Sequence, residues 1–285
     1  MMDAVQLTTF QAVIEEGSFD AAARALHVTP SAVSQRIKAL EQAVGQVLVR
    51  RAKPAEPTEA GQALVRLAGQ VALLEREALD AARGALGGGG RTRATVVVNA
   101  DSLLTWFLTA LAAVPAELAL SFDLHQEDQD HTADLLRAGT AMAAVTGQHT
   151  PVQGCRVEPL GAMRYRAMAA PGAFAGFDTT PMIVFNRKDR LQHRFLASLT
   201  RRHLDPPIHY VPAAAAFVDA IRLGLGWGLV PERIADEDVA AGRLEELTPG
   251  RHLDVPLYWQ FWRMESTMLA ALTEAVKTAA AAALR

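Results

Sequence analysis

The stretch from Ser18 to Arg51, SFDAAARALHVTPSAVSQRIKALEQAVGQVLVRR, constrains the fold of this chain more than any other. It reads as two short helices joined by a tight turn. Ala22, Ala23 and Ala25 are small enough for the first helix to cross the second closely, with Leu26 and Val28 filling the corner. Thr29 can cap the second helix, and Pro30 at the first helical position gives up an N–H that has no partner there. Val33, Ile37, Leu40 and Val44 recur at helical spacing and are expected to face inward. Ser31, Ser34, Gln35 and Lys38 share the opposite face. Hydroxyls and amides read base edges in a major groove, while lysine reaches phosphate. The pattern predicts a helix-turn-helix.

Charge supports that prediction. Between Arg24 and Lys53 six cationic side chains face a single acid, Glu41, a local net of +5 in a chain whose formal total is −3. A basic patch on an acidic protein is the electrostatic footprint of a nucleic-acid site.

The run AAARALHVTPSAVSQRIKALEQAVG followed by VLVRR resembles the N-terminal signature of the LysR-type transcriptional regulators, a bacterial family. The resemblance implies that the helix from Pro30 is a recognition helix and that Val47 to Pro57 forms a wing, although RRAKPAEPTEAG is longer than the family usually carries. It places Pro30, Ser31, Ser34, Gln35 and Lys38 at DNA-facing positions, with Arg36 flanking them. Arg50 and Arg51 fall on the phosphate-contacting side of the wing.

Leu64, Leu67, Val71, Leu74, Ala78, Ala81 and Ala85 step by 3 and 4 alternately, an a/d heptad stripe on a helix predicted over 58–86. A partner helix is the expected cover, so Leu64, Leu67, Val71 and Leu74 are read as a dimerisation seam. GALGGGG then isolates this helix from the remainder of the chain. Two reading heads on one dimer imply paired half-sites in double-stranded operator DNA.

The expected domains are therefore 1–60, a winged helix-turn-helix; 61–90, a coiled-coil linker helix and glycine-rich hinge; and 91–285, an effector domain. From Ala94 onward strands and helices alternate in two runs, ATVVVNA to AMAAVTG and PMIVFN to WGLVP. The fold class is thus an all-α head and linker, with a two-lobed α/β domain of largely parallel sheets after them. Lobe I is read as 91–163 and 264–285, lobe II as 164–263. MRYRAMAAP and PLYWQFWR are read as segments crossing between the lobes. The family resemblance implies the same architecture, a periplasmic-binding-protein-like effector domain.

A cleft outside the strand ends is the expected ligand site. Asp101 and Ser102 come after the first strand, Ser102 as a helix cap with N–H groups suited to a carboxylate. Thr146 ends another strand of that lobe, and Asn186 to Asp189 is read as beginning a helix across the cleft. Asp128, in the acidic run after the second strand, is the preferred acid for a ligand's cationic end, with Asp101 in reserve. Together with NADSLLTWFL, EDQDHTADLLRAG and AVTGQ, the chain is similar to the arginine- and lysine-responsive branch of the family, the ArgP/LysG type. That likeness implies a basic amino acid as effector and activation of an exporter gene. It also implies a homodimer or homotetramer, with RNA polymerase as a further partner.

The remaining features exclude other classes. No GxSxG, Walker-type loop or GxGxxG after a strand is present, which argues against an enzyme. One cysteine, Cys155, and scattered histidines offer neither a disulfide nor a metal site, and no cofactor is expected. The N-terminus lacks a secretory pattern and no apolar run spans a bilayer, so a cytoplasmic protein away from membranes is expected. An architectural DNA-binding protein acting without a metabolite, and a LysR-type regulator of another pathway, remain as alternatives.

Overall fold

The structure, a computed structural model, describes residues 2–83, 91–127 and 132–285. The head is built from α1 (Ala4–Glu15), α2 (Phe19–Ala25), α3 (Pro30–Val44) and an antiparallel wing of β1 (Val49–Arg50) and β2 (Glu56–Pro57). Each helix begins on a side-chain cap. Asp3 and Gln6 form a capping box, and the Ser18 and Thr29 hydroxyls accept from the backbone N–H of Ala21 and Ala32 at 3.1 and 3.2 Å. Phe10, Val13, Ala22, Val33, Ile37 and Leu40 close the core. Val44 departs from its predicted inward place. It lies on the last turn of α3, past the packed helices, and is 37% exposed.

Helix α4 (Glu59–Arg83) divides its surface between two domains. Val65 and Ala68 close the underside of the head, while Leu73 enters the core of the effector domain. The Arg66 guanidinium donates to the carbonyls of Gln153 and Arg137. The Glu77 carboxylate accepts from the Ser266 hydroxyl at 2.7 Å and the Met268 N–H at 3.0 Å. Contact is close enough to require glycine: a Cβ on Gly139, whose φ is +76°, would stand 2.6 Å from the Arg66 backbone nitrogen. The predicted seam is accordingly split. Leu64 is buried in the head's own core, a correction to its reading as a partner-facing residue. Leu67 and Val71 are half-buried against that core, and Leu74 is exposed. Ala85 and the run of glycines lie outside the described residues.

The effector domain opens with β3 (Thr92–Asn99), a short α5 (Ala100–Ser102), a π-helical turn over Leu103–Phe107 and α6 (Leu108–Ala112). β4 (Leu120–Glu127), α7 (Thr132–Ala138) and β5 (Ala143–Thr146) complete the first run, with β4 and β5 parallel to β3 on either side. The chain then crosses on β6 (Cys155–Ala169). Lobe II holds β7 (Met182–Val184), α8 (Leu191–Leu199), β8 (Ile208–Tyr210), α9 (Ala214–Arg222), β9 (Gly228–Pro231), α10 (Glu232–Ala240) and β10 (Glu245–Glu246). β11 (His252–Trp262) returns to lobe I and α11 (Thr267–Ala283) covers it.

The two lobes are more antiparallel than the alternation of elements suggested. β11 pairs antiparallel with β6 along its whole length, from Cys155 to Arg166 of β6, and β9 and β10 flank β6 antiparallel in lobe II. Parallel pairing there runs between β7 and β8, with a single parallel bridge from Met182 to Trp227. One pair of long strands thus serves both lobes. Its register slips at Leu257/Tyr258, beside Gly161, where the path passes from one lobe to the other. Within lobe I, Trp106, Phe107 and Trp259 are buried together, and the Trp259 indole N–H donates to Thr273 at 3.1 Å, fixing α11 on the sheet.

Candidate functional site

The exposed face of α3 carries Ser31, Gln35 and Lys38, with Ser34 half-buried beside them and Pro30 exposed at its start. Glu41, the lone acid of the basic patch, is turned away from solvent to hold the wing. Its carboxylate accepts from the backbone N–H of Leu48 at 2.9 Å and Val49 at 3.4 Å. Arg50 is exposed and reaches across the wing to the Pro57 carbonyl at 3.4 Å. Arg51 stacks over the Phe19 ring, 5.1 Å from its centroid. Arg36 does not flank the polar face as expected. Half-buried, it donates to the Thr9 hydroxyl on α1 at 3.3 Å, so its charge ties two helices of the head.

The second site lies where the ends of β3 and β7 meet across the lobes. Asn99 and Asp101 line it from lobe I; Phe185, Asp189 and Gln192 line it from lobe II. The Asp101 carboxylate accepts from the Tyr165 hydroxyl at 2.6 Å. Burial pushes that hydroxyl well above the ordinary tyrosine range, and the charges of Asp101 and Asp189 add to the effect, so Tyr165 remains a donor. Asp189 is oriented by the backbone N–H groups of Phe185 and Leu191 at 3.1 and 2.8 Å. Two buried amides, Asn99 and Gln192, each leave an oxygen with no hydrogen-bond partner among the described residues. The polar groups gathered here are mainly acceptors, the complement of a ligand rich in N–H groups.

Of the expected lobe I residues that lie among the described ones, Asp101 alone lines the cavity. Ser102 is not a cap: the helical path starts at Ala100, which leaves Ser102 inside it, fully buried, its hydroxyl without a partner among the described residues. Thr146 is buried and accepts from the Gln148 N–H at 3.1 Å. Asn186 closes a turn, its side chain accepting from Lys188 and Asp189 N–H, and α8 begins only at Leu191. Asp128 lies outside the described residues. Asp189 ends the run expected across the cleft, in a turn and not in a helix. Tyr165, Gln192 and Asn99 were missed. Nothing local marks them, because they come from a crossing strand, a helix start and a strand end that meet only in three dimensions.

Residues 5–62 match the bacterial regulatory helix-turn-helix domain of the LysR family, and residues 87–283 match the LysR substrate binding domain. The chain belongs to the LysR family. A crystal structure of ArgP from Mycobacterium tuberculosis superposes with a TM-score of 0.90 at 47% identity, covering 100% of this chain and 99% of that one. Full-length LysG from Corynebacterium glutamicum, with bound effector Arg, superposes with a TM-score of 0.82 at 41% identity, each chain covered in full. The lysine export transcriptional regulatory protein LysG of the same species is 42% identical over the whole of both chains. The two-lobed fold with an N-terminal head is thus the family's arrangement. Among the described residues no helix is long and apolar enough to cross a membrane.

Proposed function

We propose that this LysR-family chain binds operator DNA through α3 and the wing, takes a basic amino acid into the cleft between its lobes, and activates a gene for export of that amino acid. The carrying observation is the chemistry of the cleft: two carboxylates, Asp101 and Asp189, and two amide oxygens, of Asn99 and Gln192, that have no partner among the described residues. An ammonium or guanidinium group supplies the several N–H donors that such a set takes up, and charge-assisted bonds to carboxylates are the strong ones. The arginine bound by the related LysG supports the same reading, as does the lysine-export role in the name of its relative. Isothermal titration of the full chain with arginine, lysine and leucine tests it. Arginine or lysine is expected to bind and leucine not. Asp101→Asn, which keeps shape and removes charge, is expected to lower the affinity by about 1.5–3 kcal/mol. Equal binding of leucine, or an unmoved affinity in the variant, counts against the cleft as a basic-amino-acid site.

A further inference from the structure

Lobe II carries a second basic surface apart from the head, of which Arg194 alone is near enough to the cleft to act on Tyr165. Arg187, Lys188, Arg190, Arg194, Arg201 and Arg202 are all exposed. From 187 to 205 these six cations face two acids, Asp189 and Asp205, a local net of +4 on a chain of net −3. Asp189 offers them little, since its carboxylate is turned to the backbone N–H groups of Phe185 and Leu191. Among the described residues none of the six forms an ion pair. Several other arginines of this lobe are paired: Arg166 with Asp236 and Glu246, and Arg222 and Arg243 with Asp238.

The arrangement is a band. Arg190 stands at the start of α8 and Arg194 one turn further on, so both share a side of the helix with exposed Ala197 and Ser198. Arg201 and Arg202 extend the band past the helix end. Arg187 extends it before the helix start and lies over the exposed Tyr210 ring, 5.1 Å from its centroid. The helix rises about 1.5 Å per residue, so its ends stand roughly 13 Å apart, enough to span about three successive phosphates of one DNA strand.

We propose that this band on lobe II is a second, sequence-independent contact for the phosphate backbone of the DNA to which the head is bound. Two observations favour DNA over an acidic protein. Five of the six cations are arginines, whose planar fork suits phosphate. Protein interfaces are centred on buried apolar anchors. The exposed large apolar residues of this lobe, Leu223, Leu225 and Val239, lie elsewhere in the chain, leaving Tyr210 alone within the band. A wet, polar, cationic surface matches backbone contacts. The loop that carries Arg187, Lys188 and Arg190 also supplies Phe185 and Asp189 to the cleft, and the first turn of α8 supplies Gln192, so one segment serves both surfaces.

The test uses the full chain and the triple variant Arg190→Gln, Arg201→Gln, Arg202→Gln, none of which lines the cleft. Affinity for a random-sequence duplex of several helical turns is measured across a range of KCl. Losing three phosphate contacts is expected to flatten the slope of log K against log salt by roughly 2 to 3. The corresponding triple lysine variant keeps the charge and is expected to keep the slope, which separates contact from misfolding. An unchanged slope in the glutamine variant overturns the proposal. So does retention on immobilised polyglutamate that the glutamine variant loses while its DNA slope is unmoved, which assigns the band to an acidic protein.

Discussion

Asp238 shows how much one side chain can organise. Its carboxylate has no exposed surface, and burial alone would raise its pKa. Hydrogen bonds from Arg222 at 2.8 and 3.0 Å and from Arg243 at 2.6 Å outweigh that cost and hold it below the usual carboxylate range. A depressed folded-state pKa contributes stability that is fully present above the unfolded value, about 3.9, and is lost as pH falls through the folded one. Asp238→Asn is therefore expected to cost about 1.5–3 kcal/mol at pH 7, the range for a charged hydrogen bond. Thermal unfolding of parent and variant from neutral pH to pH 3 checks the sign: the gap must narrow in acid, and a constant gap refutes the linkage. No spacing rule announces this residue. Asp101 was legible because it comes after a strand and opens a helical turn. Tyr165 and Gln192 were not, since each reads locally as strand or helix interior. Arg36 was legible as a cation, but its direction was decided by Thr9, 27 residues away.

At the scale of elements, α3 was the most legible, because its cap, its apolar face and its polar face all agree on one helix. The same consistency makes it the element with the sharpest test. If the exposed face reads bases, Gln35→Ala lowers affinity for an operator selected from a random pool more than for random duplex, by about 1–3 kcal/mol. Arg50→Ala, on the wing, is expected to weaken both duplexes alike and flatten the salt dependence. Equal losses on the two DNAs for Gln35→Ala remove α3 from base reading. Elements of the effector domain were legible in number more than in direction. The strand-like runs around 163–171 and 256–263 were visible, but β6 begins at Cys155 and β11 at His252, in stretches whose polar and apolar residues do not alternate cleanly. Long strands shared by two lobes lie on two different cores, and that blurs a period of two. The helix α10 escaped notice for a related reason: only Ala235 and Asp238 are buried along it.

For the whole molecule, α4 decides how a head, an effector domain and a partner chain can be joined. A heptad stripe fixes which residues share a face, not which body covers each of them. In this chain the start of the stripe is taken by the head, where Leu64 is buried and Leu67 and Val71 are half-buried. An adjoining face is taken by lobe I through Leu73, Arg66 and Glu77. Leu74, Ala78 and Ala81 remain exposed at the far end. We therefore place the partner helix of the proposed homodimer on that end. Leu74 is 45% exposed within one chain, so Leu74→Lys is expected to change its stability by no more than about 0.5 kcal/mol. In a seam the same lysine is desolvated without a partner charge, and dimerisation should fail. Leu64→Lys is expected to do the opposite, loosening the head by about 2–5 kcal/mol through a lost core side chain. Sedimentation velocity with thermal melting distinguishes the two. A Leu74→Lys chain that sediments as the parent does, with operator affinity intact, would move the partner to another surface.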